Sequence, residues 1–373
     1  MKKIIALVLA LVMAFALIAC ESAPAPVDTQ PAATQPAATE PAATEPAAPA
    51  QKTIYVLVPN PDHGWTGAIG VAAQEKVDEL NAAGNYNVVM QTFATADDQI
   101  KQIEDIVANN PGDGSIGVAM LPAGNDVESA IQQLVDAGIP YTAADRIIPS
   151  VAPSAVSNVK YDNIEIGAAA ASYLVKNGLV EGDKVAVIEG DGSSADTDRT
   201  DGFNKYLLGE VAYMGEYIAT PWASLDSVSY SGATGWNPAN AQAYFETYMA
   251  NADNADTKYI ASWDDGLSCG VFEALAGSAI DESIKETFLA GAPYITGCGG
   301  AQVVYDTIGG DYSTYPVAEK FGGFMSVTYP PAMIQVTIQA MVDYFDGAEV
   351  LQDNTQSAEC VDATNVANYK GFE

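Results

Sequence analysis

Few residues in this chain are of a type and spacing that could do chemistry. Asp264 and Asp265 stand side by side, Asp145 precedes Arg146, and one imidazole, His63, serves all 373 residues. Adjacent residues rarely supply acid and base to opposite sides of one glycosidic bond, so Asp264 and Asp265 make a poor hydrolytic dyad. A lone His63 leaves no histidine-based catalytic apparatus and no multi-histidine metal site; it can still hydrogen-bond a ligand or cap its own loop. No nucleophile elbow, Ser-His-Asp order or Walker motif occurs. The acidic loop carrying Asp191, Asp196, Asp198 and Asp201 invites a calcium reading. Its spacing misses the EF-hand order and lacks the twelfth-place Glu, so carboxylates capping a helix explain it better. What remains is recognition. The Asp145 carboxylate can accept from hydroxyls while the Arg146 guanidinium donates to others, the alternative being a surface ion pair. The Trp65 indole can plate a sugar ring or a base, or simply pack in a core.

Positioning such groups falls to the elements around them. An apolar run at 53–58 predicts a strand ending just before the loop 61–65, and a helix follows over 68–80. Strands at 87–90, 116–121 and 140–144 alternate with helices at 96–109 and 126–137. Asp145 thus falls at a strand end. A second series predicts helices over 164–176, near 200–208, over 238–251 and over 267–276, with strands at 184–189, near 217–220, at 259–262 and at 293–296. Strands that are apolar throughout and separated by helices argue parallel sheets covered on both faces. About 320 residues of this pattern exceed one comfortable sheet, so the fold class expected is α/β with two similar doubly wound lobes. Ligands of such sheets sit beyond the carboxyl ends of the strands.

Composition narrows the partners. Fifteen Lys+Arg against 48 Asp+Glu give a formal charge of -33, which becomes -35 if Lys2 and Lys3 leave with a leader. That field repels phosphate backbones and excludes nucleic acid as a partner. Residues 1–19 read as a secretory leader: two lysines, then an apolar run too short for a membrane span. Leu17-Ile18-Ala19-Cys20 resembles the bacterial lipobox, which makes Cys20 the expected lipid anchor. Residues 20–51 repeat a Gln/Glu-Pro-Ala-Ala-Thr unit from Gln30, Gln35 and Glu40, a composition that favours an extended tether. Cys269, Cys298 and Cys360 remain; one disulfide, such as Cys269 with Cys298, and buried free thiols both fit. No cofactor and no metal are expected.

Taken together, these pieces give the chain a resemblance to the ribose/galactose class of periplasmic solute-binding proteins (type 1). The resemblance rests on Ala73-Gln74-Glu75-Lys76, Asp145-Arg146 after Ala137-Gly138-Ile139-Pro140, Tyr161-Asp162-Asn163, Asp198-Arg199-Thr200-Asp201-Gly202-Phe203, and Trp263-Asp264-Asp265 before Gly270. Their order and spacing carry it across nearly all of 52–350.

The resemblance implies two lobes joined by a multi-strand hinge: lobe 1 from 52–160 plus 329–348, and lobe 2 from 161–328 plus 349–373. It implies capture of a monosaccharide or similar polyol between the lobes, and delivery to ABC permease subunits driven by a cytoplasmic ATPase. The protein would be monomeric, extracytoplasmic and membrane-anchored through Cys20, and would not be an enzyme. Nucleoside cargo, or sensing for a chemotaxis or kinase receptor, fits the same fold. Matching the family implies ligand contacts at His63, Trp65, Asp145, Arg146, Arg199 at the start of a helix, Trp236, Asp264 in preference to Asp265, and Tyr329. Two departures stand out: Gly297-Cys298-Gly299-Gly300 replaces a usual Asp, and Thr328 with Tyr329 alongside only roughly matches a late glutamine.

Overall fold

A computed structural model describes residues 51–60 and 64–373 of the chain. The leader, the tether with Cys20, and His63 lie outside the described residues. From the amino end run β1 (Lys52–Pro59), α1 (Gly64–Ala83), β2 (Tyr86–Phe93), α2 (Ala96–Ala108), β3 (Ile116–Met120), α3 (Glu128–Asp136), β4 (Tyr141–Ala144) and β5 (Ser157–Tyr161). There follow α4 (Asn163–Lys176), β6 (Val185–Glu189), α5 (Ser194–Leu207), β7 (Val228–Ala233), α6 (Pro238–Met249), β8 (Tyr259–Ser262) and α7 (Asp265–Ala276). The chain continues through α8 (Glu282–Ala290), β9 (Tyr294–Gly299), α9 (Gln302–Ile308), β10 (Gly323–Thr328), α10 (Met333–Phe345), β11 (Asp353–Gln356) and β12 (Cys360–Val361).

The strands form two six-stranded sheets of matching order, β2-β1-β3-β4-β5-β11 and β7-β6-β8-β9-β10-β12. Among the described residues, all strand pairings in these sheets are parallel except β12 against β10. β3, β4 and β8 are buried at every residue because helices cover both faces, which is why they read as nearly continuous apolar runs, broken only by Thr142 and Ser262. In each sheet the chain first adds one neighbour and then reverses to the other side of its first strand. Two such switch points, β1/β3 and β6/β8, mark where ligands of open α/β sheets bind.

Local chemistry starts several helices. The Thr95 hydroxyl accepts from Asp98 N at 3.2 Å while the Asp98 carboxylate accepts from Thr95 N at 3.0 Å, a reciprocal cap on α2. Asp162 caps α4 by accepting from Glu165 N at 3.0 Å.

Three chain crossings join the halves: β5 into α4, β10 into α10, and β11 into β12. The last two are laced together, since Thr328 N donates to Glu359 O and Glu359 N donates to the Thr328 hydroxyl, both at 2.8 Å. Tyr329, on the second crossing, packs with its ring 4.8 Å from that of Tyr161 on the first, tilted by 43°. One apolar core runs from Ile54 and Val56 through Tyr161 and Tyr329 to Val187, Phe203 and Trp263, so it passes through the hinge. The outer faces of the two sheets have cores of their own, around Ile131 and Phe272 respectively. α10 returns to the first sheet, where the Thr142 hydroxyl donates to Thr337 O at 2.9 Å and the Gln335 amide donates to Ala72 O at 3.0 Å. Among the described residues, no helix is long and apolar enough to cross a membrane.

Several expectations are corrected. No strand forms near 217–220: Tyr217 is exposed and Pro221 follows without an N–H to donate, and the edge strand is β7, registered Val185 to Val228. β7 escaped notice because an edge strand with four half-buried or exposed polar and small residues carries no apolar run. α5 begins at Ser194, so Arg199 lies in its second turn and does not open the helix. The tail 349–373 does not belong wholly to the second lobe: β11 pairs with β5 in register Asp353 to Asn158, and the chain reaches the second sheet only at β12.

Candidate functional site

A cavity of about 980 Å³ lies between the carboxyl ends of the two sheets. Trp65, Asp145, Arg146, Arg199, Trp236, Asp264 and Tyr329 all line it; of the residues expected at a site, only His63 falls outside the described residues.

On the first-lobe side, Trp65 sits at the second position of α1, one turn ahead of the predicted helix start. Its indole Nε1 donates to Tyr329 O at 2.7 Å, and its ring lies 5.4 Å from that of Tyr329. Asp145 follows β4 with φ of 64°, a left-handed conformation that Asp tolerates better than most residues and that bends the chain out of the sheet. Its carboxylate accepts from the Tyr329 hydroxyl and stands 3.8 Å from Arg146 Nε. Burial, then the Asp145 charge, pushes the Tyr329 hydroxyl well above its usual pKa, so it stays a donor. Arg146 is anchored by a 2.7 Å bond from its guanidinium to Ala123 O and reaches across to Asp191 at 4.0 Å. Since Asp191 follows β6, this ion pair joins one lobe to the other.

On the second-lobe side, Arg199 is only 4 % exposed. Its Nε donates to Asn163 Oδ1 at 2.9 Å and a terminal nitrogen donates to Trp263 O at 2.5 Å, while its guanidinium carbon lies 4.6 Å from the centre of the Tyr329 ring and 5.5 Å from that of Trp236. Burial disfavours its charge, yet Cys298, Tyr329, Asp145 and Asp264 around it raise its pKa further. α4 and α5 bring Arg199 here by touching backbone to backbone. A Cβ at Gly167 would meet Arg199 O at 1.9 Å, and one at Gly202 would meet Ile164 O at 2.0 Å. Trp236 takes φ of 58°, and its indole covers Gly190, where a Cβ would come within 2.2 Å of the ring.

The adjacent acids have separate duties. Asp264 caps α7, accepting from Gly266 N at 2.7 Å, and burial together with the neighbouring Asp265 charge pushes its carboxyl up to about 7. Asp265 accepts from the Ser326 hydroxyl at 2.6 Å, Gly300 N at 2.7 Å and Ala301 N at 2.8 Å. It therefore clips β10 and the loop after β9 to the head of α7, even though it also faces the cavity. Gly297 leaves room for it, since a Cβ there would lie 2.4 Å from Asp265 Oδ1. Asp196 accepts from Gly190 N and Gly192 N at 2.7 Å each, so it is spent on the turn between β6 and α5. Burial works against ionisation of Asp191, but hydrogen bonds from Ser193, the Arg146 charge and the Trp236 indole outweigh it and hold the carboxyl below its usual range.

Trp263 is a core residue, 1 % exposed, whose Nε1 donates to the Thr200 hydroxyl at 2.9 Å. Cys269, Cys298 and Cys360 are all free thiols; Cys298 is buried at the cavity wall, and burial above all pushes it up to about 12. Sequence reasoning missed Asp191 and Cys298 at the cavity wall, and Asn163 as the partner that holds Arg199. Asp191 was the most accessible of them, being a carboxylate just past the end of a predicted strand.

The arrangement holds two buried or half-buried guanidiniums, several carboxylates and three aromatic faces from both lobes around one space. It suits fixing a polar, hydroxyl-bearing molecule, and the positions of hydrophobic rings suit its apolar faces.

The sequence profile of the periplasmic binding protein domain family matches residues 54–349. No curated protein matches the chain significantly. Among solved structures, the chain is similar to a Caulobacter myo-inositol binding protein bound to myo-inositol, with TM-score 0.66, 16% identity, and coverage of 86% of this chain and 96% of that one. It is also similar to an ABC transporter solute binding protein from Bacillus halodurans C-125 with bound myo-inositol, with TM-score 0.65, 17% identity and coverage of 87% and 99%. A third is the binding component of the arabinose ABC transporter from Shewanella sp. ANA-3, bound to L-arabinofuranose, with TM-score 0.64, 14% identity and coverage of 85% and 94%. These likenesses are of fold. With two parallel-sheet lobes, a three-crossing hinge and a profile match over most of its length, this chain belongs to the periplasmic binding protein family, in the ribose/galactose-type form of that fold.

Proposed function

We propose that this protein is a lipid-anchored, extracytoplasmic substrate-binding protein that captures a small carbohydrate between its lobes and delivers it to an ABC importer. The observation that carries this reading is the inter-lobe cavity, in which Asp145, Arg146, Asp264 and the two tryptophans converge from opposite sheets. Carboxylates accept from sugar hydroxyls, guanidiniums donate to them, and indoles cover the C–H faces. Contacts from both lobes act together only when the lobes are closed, so binding energy shifts the population toward closure. Permease subunits with a cytoplasmic ATPase would read that closed shape. The solved relatives with bound inositol and arabinofuranose support the ligand class, and the lipobox at Leu17-Ile18-Ala19-Cys20 supports the anchor. Binding without turnover is the expected chemistry. Trp65, Asp145, Arg146, Arg199, Trp236, Asp264 and Tyr329, with His63, are the proposed contacts.

A thermal-shift screen of the purified protein against pentoses, hexoses, polyols, nucleosides and amino acids tests the ligand class. A ligand at about 100 times Kd stabilises by roughly 2.7 kcal/mol. Trp65→Ala, Trp236→Ala and Arg146→Ala should each weaken the shift from the best sugar while leaving the ligand-free melting profile near wild type. Wild-type shifts in all three would remove the cleft from consideration, and hits confined to nucleosides would make the tryptophans base clamps. For the anchor, Cys20→Ala should move the protein from the membrane to the soluble fraction with its affinity unchanged. A variant that still sediments with membranes would refute the lipid anchor.

A further inference from the structure

The cavity is longer than one sugar ring. Asp265, Cys269 and Glu273 all line it, and they are spaced by four residues along α7, which puts them in one stripe down a single helix face. At ~1.5 Å per residue the stripe spans ~12 Å, against roughly 5 Å for one sugar ring. The volume of about 980 Å³ agrees with this length, since it stands at the upper end of the ~300–1,000 Å³ found for sites that enclose drug-sized ligands.

The two ends differ in what they offer. The inner end is the charged cluster of Asp145, Arg146, Arg199 and Asp264. The outer end, one and two turns along α7, adds Tyr315, whose hydroxyl pairs with Cys269, together with Val303, Phe372 and the exposed Glu273 at the mouth. Half-buried aromatic faces beside an exposed carboxylate repeat, in simpler form, the chemistry of the inner end: plates for C–H faces and an acceptor for hydroxyls.

Building on the carbohydrate reading above, we infer that the outer end is a second subsite and that the ligand is a disaccharide. One ring sits among Asp145, Arg146, Arg199 and Asp264, and its glycosidic partner lies along α7 against Tyr315 and Phe372.

Isothermal titration calorimetry of the full-length protein tests this, with glucose, galactose, arabinose and myo-inositol set against maltose, cellobiose, lactose and melibiose. At least one disaccharide should bind tenfold or more tighter than its component monosaccharides. Val303→Trp, which fills the outer end from α9, should weaken that disaccharide at least tenfold and leave the monosaccharide within about twofold. Glu273→Trp, at an exposed position, should have the same selective effect and serves if Val303→Trp fails to fold. Monosaccharides binding as tightly as disaccharides, or variants that weaken both alike, would overturn the second subsite while leaving the carbohydrate reading in place. No binding by any of the eight compounds would instead overturn that reading, and the second subsite with it.

Discussion

Asp264 and Asp265 are one peptide bond apart and do different things because their side chains meet different surroundings. Asp265 has three strong donors, whereas Asp264 has Gly266 N as its main partner and shares its burial with a second negative charge. The carboxyl of Asp264 is consequently raised from its ordinary value to about 7. A carboxyl whose folded pKa lies above its unfolded one favours the folded state fully below the unfolded value, and that advantage disappears as pH rises through the folded pKa. In the ligand-free protein, Asp264 therefore removes stability between about pH 4 and pH 7. Asp264→Asn should flatten this part of the melting-temperature profile, leaving a smaller fall between pH 5 and pH 8 than in wild type. An unchanged fall would show that Asp264 does not titrate between pH 5 and pH 8. Neither the adjacency nor the composition of Trp-Asp-Asp reveals this split. What could be read locally was that a carboxylate just past a strand end faces the ligand side.

Elements position these residues through contacts that tolerate no added atoms. α4 and α5 cross where Gly167 and Gly202 let one backbone rest on the other, and Arg199 is delivered from that crossing to Asn163 and Trp263. Gly202→Ala would press a methyl into Ile164 O, and the helices must part. Overpacking of this kind costs ~1–3 kcal/mol, so the variant should melt measurably lower and bind sugar more weakly because Arg199 shifts with its helix. A melting temperature equal to wild type would show that the crossing is looser than its geometry. The pattern of strand, helix, strand was legible in the chain because strands covered on both faces are mostly apolar, with only isolated small polar residues such as Thr142 and Ser262. β7 was not, since an edge strand needs no such run, and neither was the first turn of α5, whose Ser-Ala-Asp-Thr-Asp start looks like loop. Arg199 itself was legible from its motif, but its place in the second turn and its partners were not.

For the whole molecule, the lobes are held in register by the hinge and touch across the cleft through Arg146 and Asp191, 4.0 Å apart. Partly exposed pairs of this length contribute ~0–1 kcal/mol, enough to bias an equilibrium between open and closed forms without fixing it. Asp191→Asn should open the ligand-free ensemble, seen as a larger radius of gyration in small-angle scattering, and saturating ligand should restore the closed value. Equal radii for the ligand-free variant and wild type would show that the pair does not hold the lobes together.

What the sequence determined by itself was whatever depends on neighbours in the chain. Apolar periodicity specified most strands and helices, and strand ends located Asp145 and Asp264. The tertiary structure decided the rest: that Tyr329 donates to Asp145 from 184 residues away, that Asp191 faces Arg146, that 353–356 extends the first sheet, and that α7 turns Asp265, Cys269 and Glu273 into one cavity wall. Each of these depends on how three crossings and two sheet twists add up. A local run of residues can set the form of its own element, whereas the meeting of two distant elements is settled only when the whole core packs.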